Sequence, residues 1–372
     1  MKSALVTGAN GHIGCHVVRS LLDAGVQVTA LVRRGSDRRG LAGLAVELRE
    51  GDLLDEDSIL RAAAGVDVLF HVGAAHRNFA RSPDDILRPA IEGTRNMLSA
   101  AIKAGVRRVV YTSSGATVGF TATPARPLDE TSLLATAESP YTRAKIEAEA
   151  LVREHAGTGR GPEVVIVNPS GVFGPLDYRL TPSTRALIGL AQGDPSFLTV
   201  SVTDVRDVGR AHVLAAERGA AGERYLITGD VLSPGAVAEA VGAVTGRAPK
   251  EMTPPRFLML LLSWLAVRKA RRLGTDAPIT PEIVRDVYGR HLAYDGSRSR
   301  RELGMSYRPA LEVLTDAYRW LLFLDALTPK VAARVRAALG DRAAPDPGWA
   351  AAAAGGESPP TSQRIVSSTS AP

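Results

Sequence analysis

Thr7-Gly8-Ala9-Asn10-Gly11-His12-Ile13-Gly14 follows a short apolar run, Ala4-Leu5-Val6, and opens onto a stretch with helical periodicity from Gly14 to Ala24. Glycines at three-residue spacing let the chain turn tightly, let its backbone approach a pyrophosphate, and let the helix pack close to its strand. The free N–H groups and the positive end of that helix then face the phosphates. A glycine triplet alone is a weak signal. Between an apolar strand and an amphipathic helix it predicts a dinucleotide-binding loop built from Thr7, Gly8, Asn10, Gly11, His12, Ile13 and Gly14.

Outward from this loop, strand-like and helix-like segments alternate. Ala4 to Val6, Gln27 to Val32, Val46 to Leu48, Asp67 to His71, Arg108 to Thr112 and Val164 to Val167 read as strands, rich in β-branched residues. Gly14 to Ala24, Leu54 to Ala64, Asp84 to Ala104 and Pro140 to His155 carry helical periodicity. Such alternation requires parallel strands joined by crossover helices, so the predicted fold is α/β, a doubly wound parallel Rossmann-type sheet. Continuous apolar strands such as Val68-Leu69-Phe70 suit a sheet covered on both faces. After Asn168 the pattern loosens into a stretch containing Pro169, Gly171, Gly174, Pro175 and Pro182. The predicted organisation is a nucleotide-binding domain over 1–168 with segments returning near 200–230. A smaller, mostly helical substrate lobe covers 169–342, and an Ala/Gly/Pro/Ser-rich tail over 343–372 is expected to be disordered.

Composition narrows the function classes. The 372 residues are 45% hydrophobic and 23% charged, ordinary proportions for a globular chain with a full core. Cys15 is the single cysteine, which excludes an intramolecular disulfide and a thiolate zinc site. No charged segment leads into a long apolar one at the N-terminus, so a secretory leader is not expected and the predicted localisation is cytoplasmic. The apolar run from Phe257 to Val267 is shorter than the roughly 20 residues of a spanning helix, so no stable membrane insertion is expected. A net charge of +6 favours anionic partners, a phosphorylated cofactor as much as nucleic acid.

The second strand ends at Val32 and runs into Arg33-Arg34-Gly35-Ser36. An NAD protein places a ribose-binding carboxylate at about this distance from its glycine loop. Two guanidiniums stand here instead, suited to a 2′-phosphate, so Arg33 and Arg34 predict NADP(H). Asp52 and Leu53 are candidates to flank the adenine, with Asp52 equally suited to cap a helix.

Ser139-Pro140-Tyr141-Thr142-Arg143-Ala144-Lys145 is a helix start with serine at the cap and proline at the first position. It stacks Tyr141 and Lys145 on one face at i and i+4. A free phenol has a pKa of about 10 and is a weak base at neutral pH. A neighbouring ammonium, together with an oxidised nicotinamide, favours the phenolate. Tyr141 is therefore the candidate proton donor to a carbonyl, or acceptor from an alcohol. Ser114, at the C-terminal end of a central strand, is the candidate donor that holds the carbonyl oxygen; strand alternation turns Ser113 to the other side.

These residues resemble an extended short-chain dehydrogenase/reductase of the NAD-dependent epimerase/dehydratase superfamily, dihydroflavonol 4-reductase-like branch. The marks are the Gly8/Gly11/Gly14 loop, Gly51-Asp52-Leu53, His71-Val72-Gly73-Ala74-Ala75, Tyr111-Thr112-Ser113-Ser114 and Tyr141-x-x-x-Lys145. Val167 to Pro175 and Asp204 to Val208 continue them, so that the resemblance spans Ala4 to about Leu324. It implies Ser114, Tyr141 and Lys145 as the catalytic set, with Lys145 also on the nicotinamide ribose. It places Gly73, Ala74 and Ala75 along the cofactor and Pro169, Gly171 and Val172 near the nicotinamide ring. Relatives of this kind often form homodimers through the helices that carry Asn96 and Tyr141, while others are monomers, so the resemblance leaves both states open. One departure stands out: Ala90 occupies the position of the family's asparagine, which helps to hold a proton-relay water.

The expected activity is hydride transfer to or from a ketone, aldehyde or secondary alcohol of a small, fairly apolar metabolite. The alternatives are a nucleotide-sugar epimerase or dehydratase that retains its cofactor, and a noncatalytic NADP-sensing or RNA-binding protein on the same fold. His12, Cys15, His16, His71 and His76 have ligand-like spacings but no accompanying carboxylate cluster, so no metal is expected. The basic clusters near Arg33 to Arg39, Arg268 to Arg272 and Arg298 to Arg301 lack aromatic platforms, and no nucleic-acid partner is expected. The segment 252–272 is left between core, pocket lid and membrane-surface helix.

Overall fold

The computed structural model describes residues 1–74, 82–273, 277 and 279–349. In chain order its elements begin β1 (Ser3–Thr7), α1 (His12–Asp23), β2 (Gln27–Val32), β3 (Glu47–Glu50), α2 (Glu56–Ala63), β4 (Val68–His71) and α3 (Asp84–Lys103). Then come β5 (Arg108–Thr112), α4 (Pro140–Gly157), β6 (Glu163–Pro169), β7 (Val172–Phe173), α5 (Pro182–Gln192), β8 (Val200–Asp204) and α6 (Val205–Arg218). The last are β9 (Arg224–Ile227), β10 (Asp230–Leu232), α7 (Pro234–Thr245), α8 (Arg256–Leu273), α9 (Pro281–Val287), α10 (Ala310–Phe323) and α11 (Pro329–Leu339).

Seven strands form one parallel sheet in the order β3-β2-β1-β4-β5-β6-β9. This is the doubly wound Rossmann-type arrangement that the alternation predicts. The order reverses between β1 and β4, and the strands' C-terminal ends at this switch point form the crevice where open α/β sheets bind ligands. Strand period sorts the core into two layers. Val6, Phe70, Val110 and Val165 pack against Val17 and Leu21 of α1 and Val208 and Ala211 of α6. Leu5, Leu69, Val109 and Ile166 turn the other way, onto Ile59 of α2, Met97 of α3 and Val152 of α4. Each such side chain, once buried, contributes about 1.5–3 kcal/mol against its exposed state.

Beyond β6 the chain builds a second core. A three-stranded sheet, β10-β8-β7, packs with α5, α7, α10 and α11 through Phe173, Leu187, Val202, Val241, Val313, Leu321 and Val335. Asp204 caps α6 and, with Asp316, holds Arg206 at 2.7 and 2.6 Å. The tail requires a correction. Residues from about Ala343 were expected to have little to pack and to be disordered, yet Trp349 is buried beside Trp320, ring edge to ring face at 5.6 Å, with Arg319 over its ring. One indole outweighs the low-complexity composition around it, because a large aromatic surface leaves water on docking. The expectation for 350–372 lies outside the described residues.

Replacing Trp349 by alanine should lower stability by about 3 kcal/mol, the low end for a buried aromatic, since the chain end can relax. Urea unfolding at fixed pH measures it; an unchanged midpoint would mean that the indole packs in no stable way.

Candidate active site

The glycine loop is a tight turn between β1 and α1, closed by the Gly11 N–H donating to the Gly8 carbonyl at 2.9 Å. Gly8 has φ +64°, and a Cβ there would lie 2.5 Å from the Gly73 Cα. A Cβ on Gly14 would lie 2.0 Å from the Gly8 carbonyl oxygen. No side chain fits at either position, so backbone alone lines this cradle at the positive end of α1. Thr7 Oγ1 accepts from the Gly73 N–H at 3.3 Å and meets His71 Nδ1 at 3.0 Å. Asn10 reaches sideways, its amide donating to the Asp37 carbonyl at 2.7 Å, and ties the cradle to the loop after β2. The rings of His12 and His16 both contact the Pro175 carbonyl at 3.1 Å. Cys15 is buried, and burial pushes its thiol up to about 12.

The loop after β2 exposes Arg33 and Arg34 around a depression also lined by Glu50, Gly51, Asp52, Asp55, Ser58 and Arg61. Among the described residues neither guanidinium is paired, whereas the nearby Glu50 carboxylate is already held by Arg38 at 2.7 Å. The capping role left open for Asp52 belongs to Asp55, which accepts the Ser58 N–H at the start of α2. Asp52 instead accepts the Leu54 N–H at 2.9 Å within the turn. The Leu53 side chain lies against Gly73 and Gly93. Gly73 and Ala74 follow β4 at the crevice, while Ala75 and His76 lie outside the described residues.

Ser139 caps α4, its Oγ accepting from the Thr142 N–H at 3.3 Å with Pro140 at the first position. The turn places Tyr141 beside the end of β5, where its half-buried phenol lies next to the Ser114 side chain. One turn on, Lys145 is buried and donates to the Thr112 carbonyl at 2.9 Å. Ser113 points away and donates to Glu149. Pro169 ends β6; Gly171 and Val172 follow it, and the Gly171 carbonyl accepts the Thr203 N–H at 2.9 Å. The glycine cradle, Ser114, Tyr141 and Lys145 thus belong to the strand ends of one crevice.

A family model for the NAD dependent epimerase/dehydratase family matches residues 4–228. The chain belongs to this family. Within it, the extended short-chain dehydrogenase/reductases include close relatives over nearly the whole chain. A protein of Synechocystis sp. named as a candidate dihydroflavonol 4-reductase is 32% identical over 85% of this chain and 93% of its own. Sterol demethylase protein B of Methylococcus capsulatus is 34% identical over 86% of this chain and 98% of its own. The crystal structure of gox2253 superposes with a TM-score of 0.76 at 32% identity, covering 88% of this chain and all of that one.

The electrostatics of this family member depart from the simple picture in one respect. Burial raises the Tyr141 phenol, against an opposing pull from the Ser114 side chain. In the protein without a dinucleotide, the Lys145 ammonium is turned to the Thr112 carbonyl. Burial pulls Lys145 itself down to about 8, against the opposing pull of Glu149. Burial, then the Lys145 charge, pushes His71 down to about 3, which keeps that imidazole neutral. The buried Tyr111 ring stacks on His71 at 5.6 Å and lies 5.9 Å from the Lys145 ammonium.

Sequence reasoning missed a buried polar group beneath the site. Glu149 and Arg224 form an ion pair at 2.8 Å with side chains only 3% and 7% exposed. Glu149 also accepts from Thr117 at 2.7 Å and Asn168 at 2.9 Å, besides Ser113. Arg224 donates to the carbonyls of Glu130 and Ser132. The available signal was the i+4 step from Lys145 to Glu149 on a buried helix face. Asp286 of α9 was missed too; its carboxylate accepts the Glu138 and Ser139 N–H groups, each at 2.9 Å, just ahead of Tyr141.

Glu149→Gln should cost about 3–5 kcal/mol in urea unfolding, because it strands a buried guanidinium. Adding Arg224→Met should recover part of that loss; a fully additive double variant would refute the pairing. The depressed Lys145 value means that the unfolded chain binds more protons between about 8 and the ordinary 10.5. Stability of the protein alone should therefore rise with pH across that window, and Lys145→Met should flatten the rise in thermal melts.

Proposed function

We propose that this chain is an NADPH-dependent reductase of a small, fairly apolar ketone or aldehyde, running also as an alcohol dehydrogenase. The observation that carries the reading is the placement of Tyr141 beside Ser114, one helical turn from the buried Lys145, at the strand ends beside the glycine cradle. The cradle suits a dinucleotide because the close backbone packing at Gly8 and Gly14 leaves no room for side chains, so N–H groups at the start of α1 are free to face a pyrophosphate. The residues that would hold it are Thr7 to Gly14, Asp52, Leu53, Gly73 and Ala74, with Lys145 on the ribose and Pro169, Gly171 and Val172 beside the ring. Arg33 and Arg34, exposed and unpaired among the described residues, would take a 2′-phosphate; this supports NADPH over NADH. A bound dinucleotide supplies or accepts the hydride.

Ser114 donates to the carbonyl oxygen and fixes its position. Tyr141 gives its phenolic proton to that oxygen as negative charge develops there. The Lys145 ammonium, one turn away, then opposes the charge left on the phenolate. The side chain at Ala90 can hold no water, so reprotonation of Tyr141 is assigned to Lys145 rather than to the family's helix asparagine. Relatives named for dihydroflavonol reduction and sterol demethylation support an apolar polycyclic or polyketide-like substrate.

A panel of ketones, aldehydes and alcohols, read by nicotinamide absorbance with both cofactors, tests the proposal. NADPH should outperform NADH, and Arg33→Ala should narrow that preference. Tyr141→Phe should lower kcat by about 10²–10⁴-fold with dinucleotide affinity retained. Equal rates for wild type and Tyr141→Phe would remove the catalytic reading, and a preference for NADH would remove the assignment of the arginine loop.

A further inference from the structure

Helix α8 is an outlier in this fold. Of its side chains only Met259, Ser263 and Ala270 are buried, on one narrow stripe. The opposite face carries Phe257, Leu261, Trp264 and Leu265, between 46% and 73% exposed. Their spacing of four, three and one residues keeps them on a single face at 3.6 residues per turn. The same face continues into Arg268 and Arg272, with Lys269 and Arg271 beside them, and no acidic residue occurs between Arg256 and Leu273. The two halves meet where the Arg268 guanidinium lies 5.6 Å from the Trp264 ring centroid. Among the described residues no helix is long and apolar enough to cross a membrane.

We propose that α8 is an interfacial helix that seats this protein on an anionic lipid surface. The apolar residues lie in the headgroup–acyl boundary and the basic end meets lipid phosphates. An exposed apolar stripe in water exacts a hydration cost that soluble proteins avoid unless something covers it. A uniformly apolar stripe would fit a second copy of the chain. The basic end decides against that occupant, because two copies of a face with no carboxylate repel each other. Anionic lipid satisfies both halves, an apolar layer bordered by negative charge. This inference does not depend on the redox reading.

The test uses the full-length protein with sedimentable vesicles of phosphatidylglycerol or of phosphatidylcholine. Trp264 is 52% exposed, whereas Trp320 and Trp349 are 0% and 7% exposed, so a blue shift in tryptophan emission reports on α8. Phosphatidylglycerol vesicles should bind the protein with that shift, and phosphatidylcholine should bind at least ~10-fold more weakly. Rising salt should weaken the anionic binding. The pair Leu261→Glu with Leu265→Glu should abolish it, while Arg268→Glu with Arg272→Glu should reduce it to the phosphatidylcholine level. Both pairs sit on the exposed face, and unchanged thermal melting shows that they fold. Absence of binding to phosphatidylglycerol overturns the proposal, as does binding that neither pair alters. So does a concentration-dependent dimer, seen by sedimentation velocity without lipid, that Leu261→Glu with Leu265→Glu dissociates.

Discussion

Helix α4 buries two opposite charges one turn apart, and the rest of the site depends on how they are held. Lys145 and Glu149 are both nearly inaccessible, at 6% and 2% exposure. Ions taken out of water cost several kcal/mol each unless paired and fully hydrogen bonded. The partners come from three strands: the Thr112 carbonyl at the end of β5, Asn168 of β6 and Arg224 of β9. Helix α4 can therefore sit only where those strands are in register. That constraint sets the height of Tyr141 over the crevice and its reach to Ser114.

The cradle rests on a different constraint, close approach of backbone to backbone. β1 and β4 are neighbours, so the turns that leave them, through Gly8 and Gly73, nearly touch. Glycine is required there by space. Polar residues around the cradle serve mainly to hold loops: Asn10 to the Asp37 carbonyl, His12 and His16 to the Pro175 carbonyl. The residues beyond β6 also reach back to the site. Asp286 of α9 holds the amides before Tyr141, and Tyr294 donates to the Gly119 carbonyl at 2.9 Å. The crevice at the strand ends and the exposed face of α8 thus belong to one architecture.

Local chemistry made much of the framework legible. Glycine spacing after an apolar strand, β-branched runs alternating with helical periods, and the Ser139-Pro140 start of α4 all act over a few residues. They determine element type and the face that Tyr141 and Lys145 share, because helix period and capping need no distant partner. Only the tertiary structure decided which buried charges pair. Glu149 and Arg224 lie 75 residues apart by number, and no local pattern links a helix glutamate to an arginine on β9. Likewise Trp349 looked unpackable in its Ala- and Pro-rich surroundings, and its burial depends on a pocket edge supplied by Trp320. The direction of the Tyr141 shift was decided in the same way. Spacing brings an ammonium near the phenol, but whether that charge faces it depends on where the Thr112 carbonyl lies, and carbonyl position is a property of the assembled sheet.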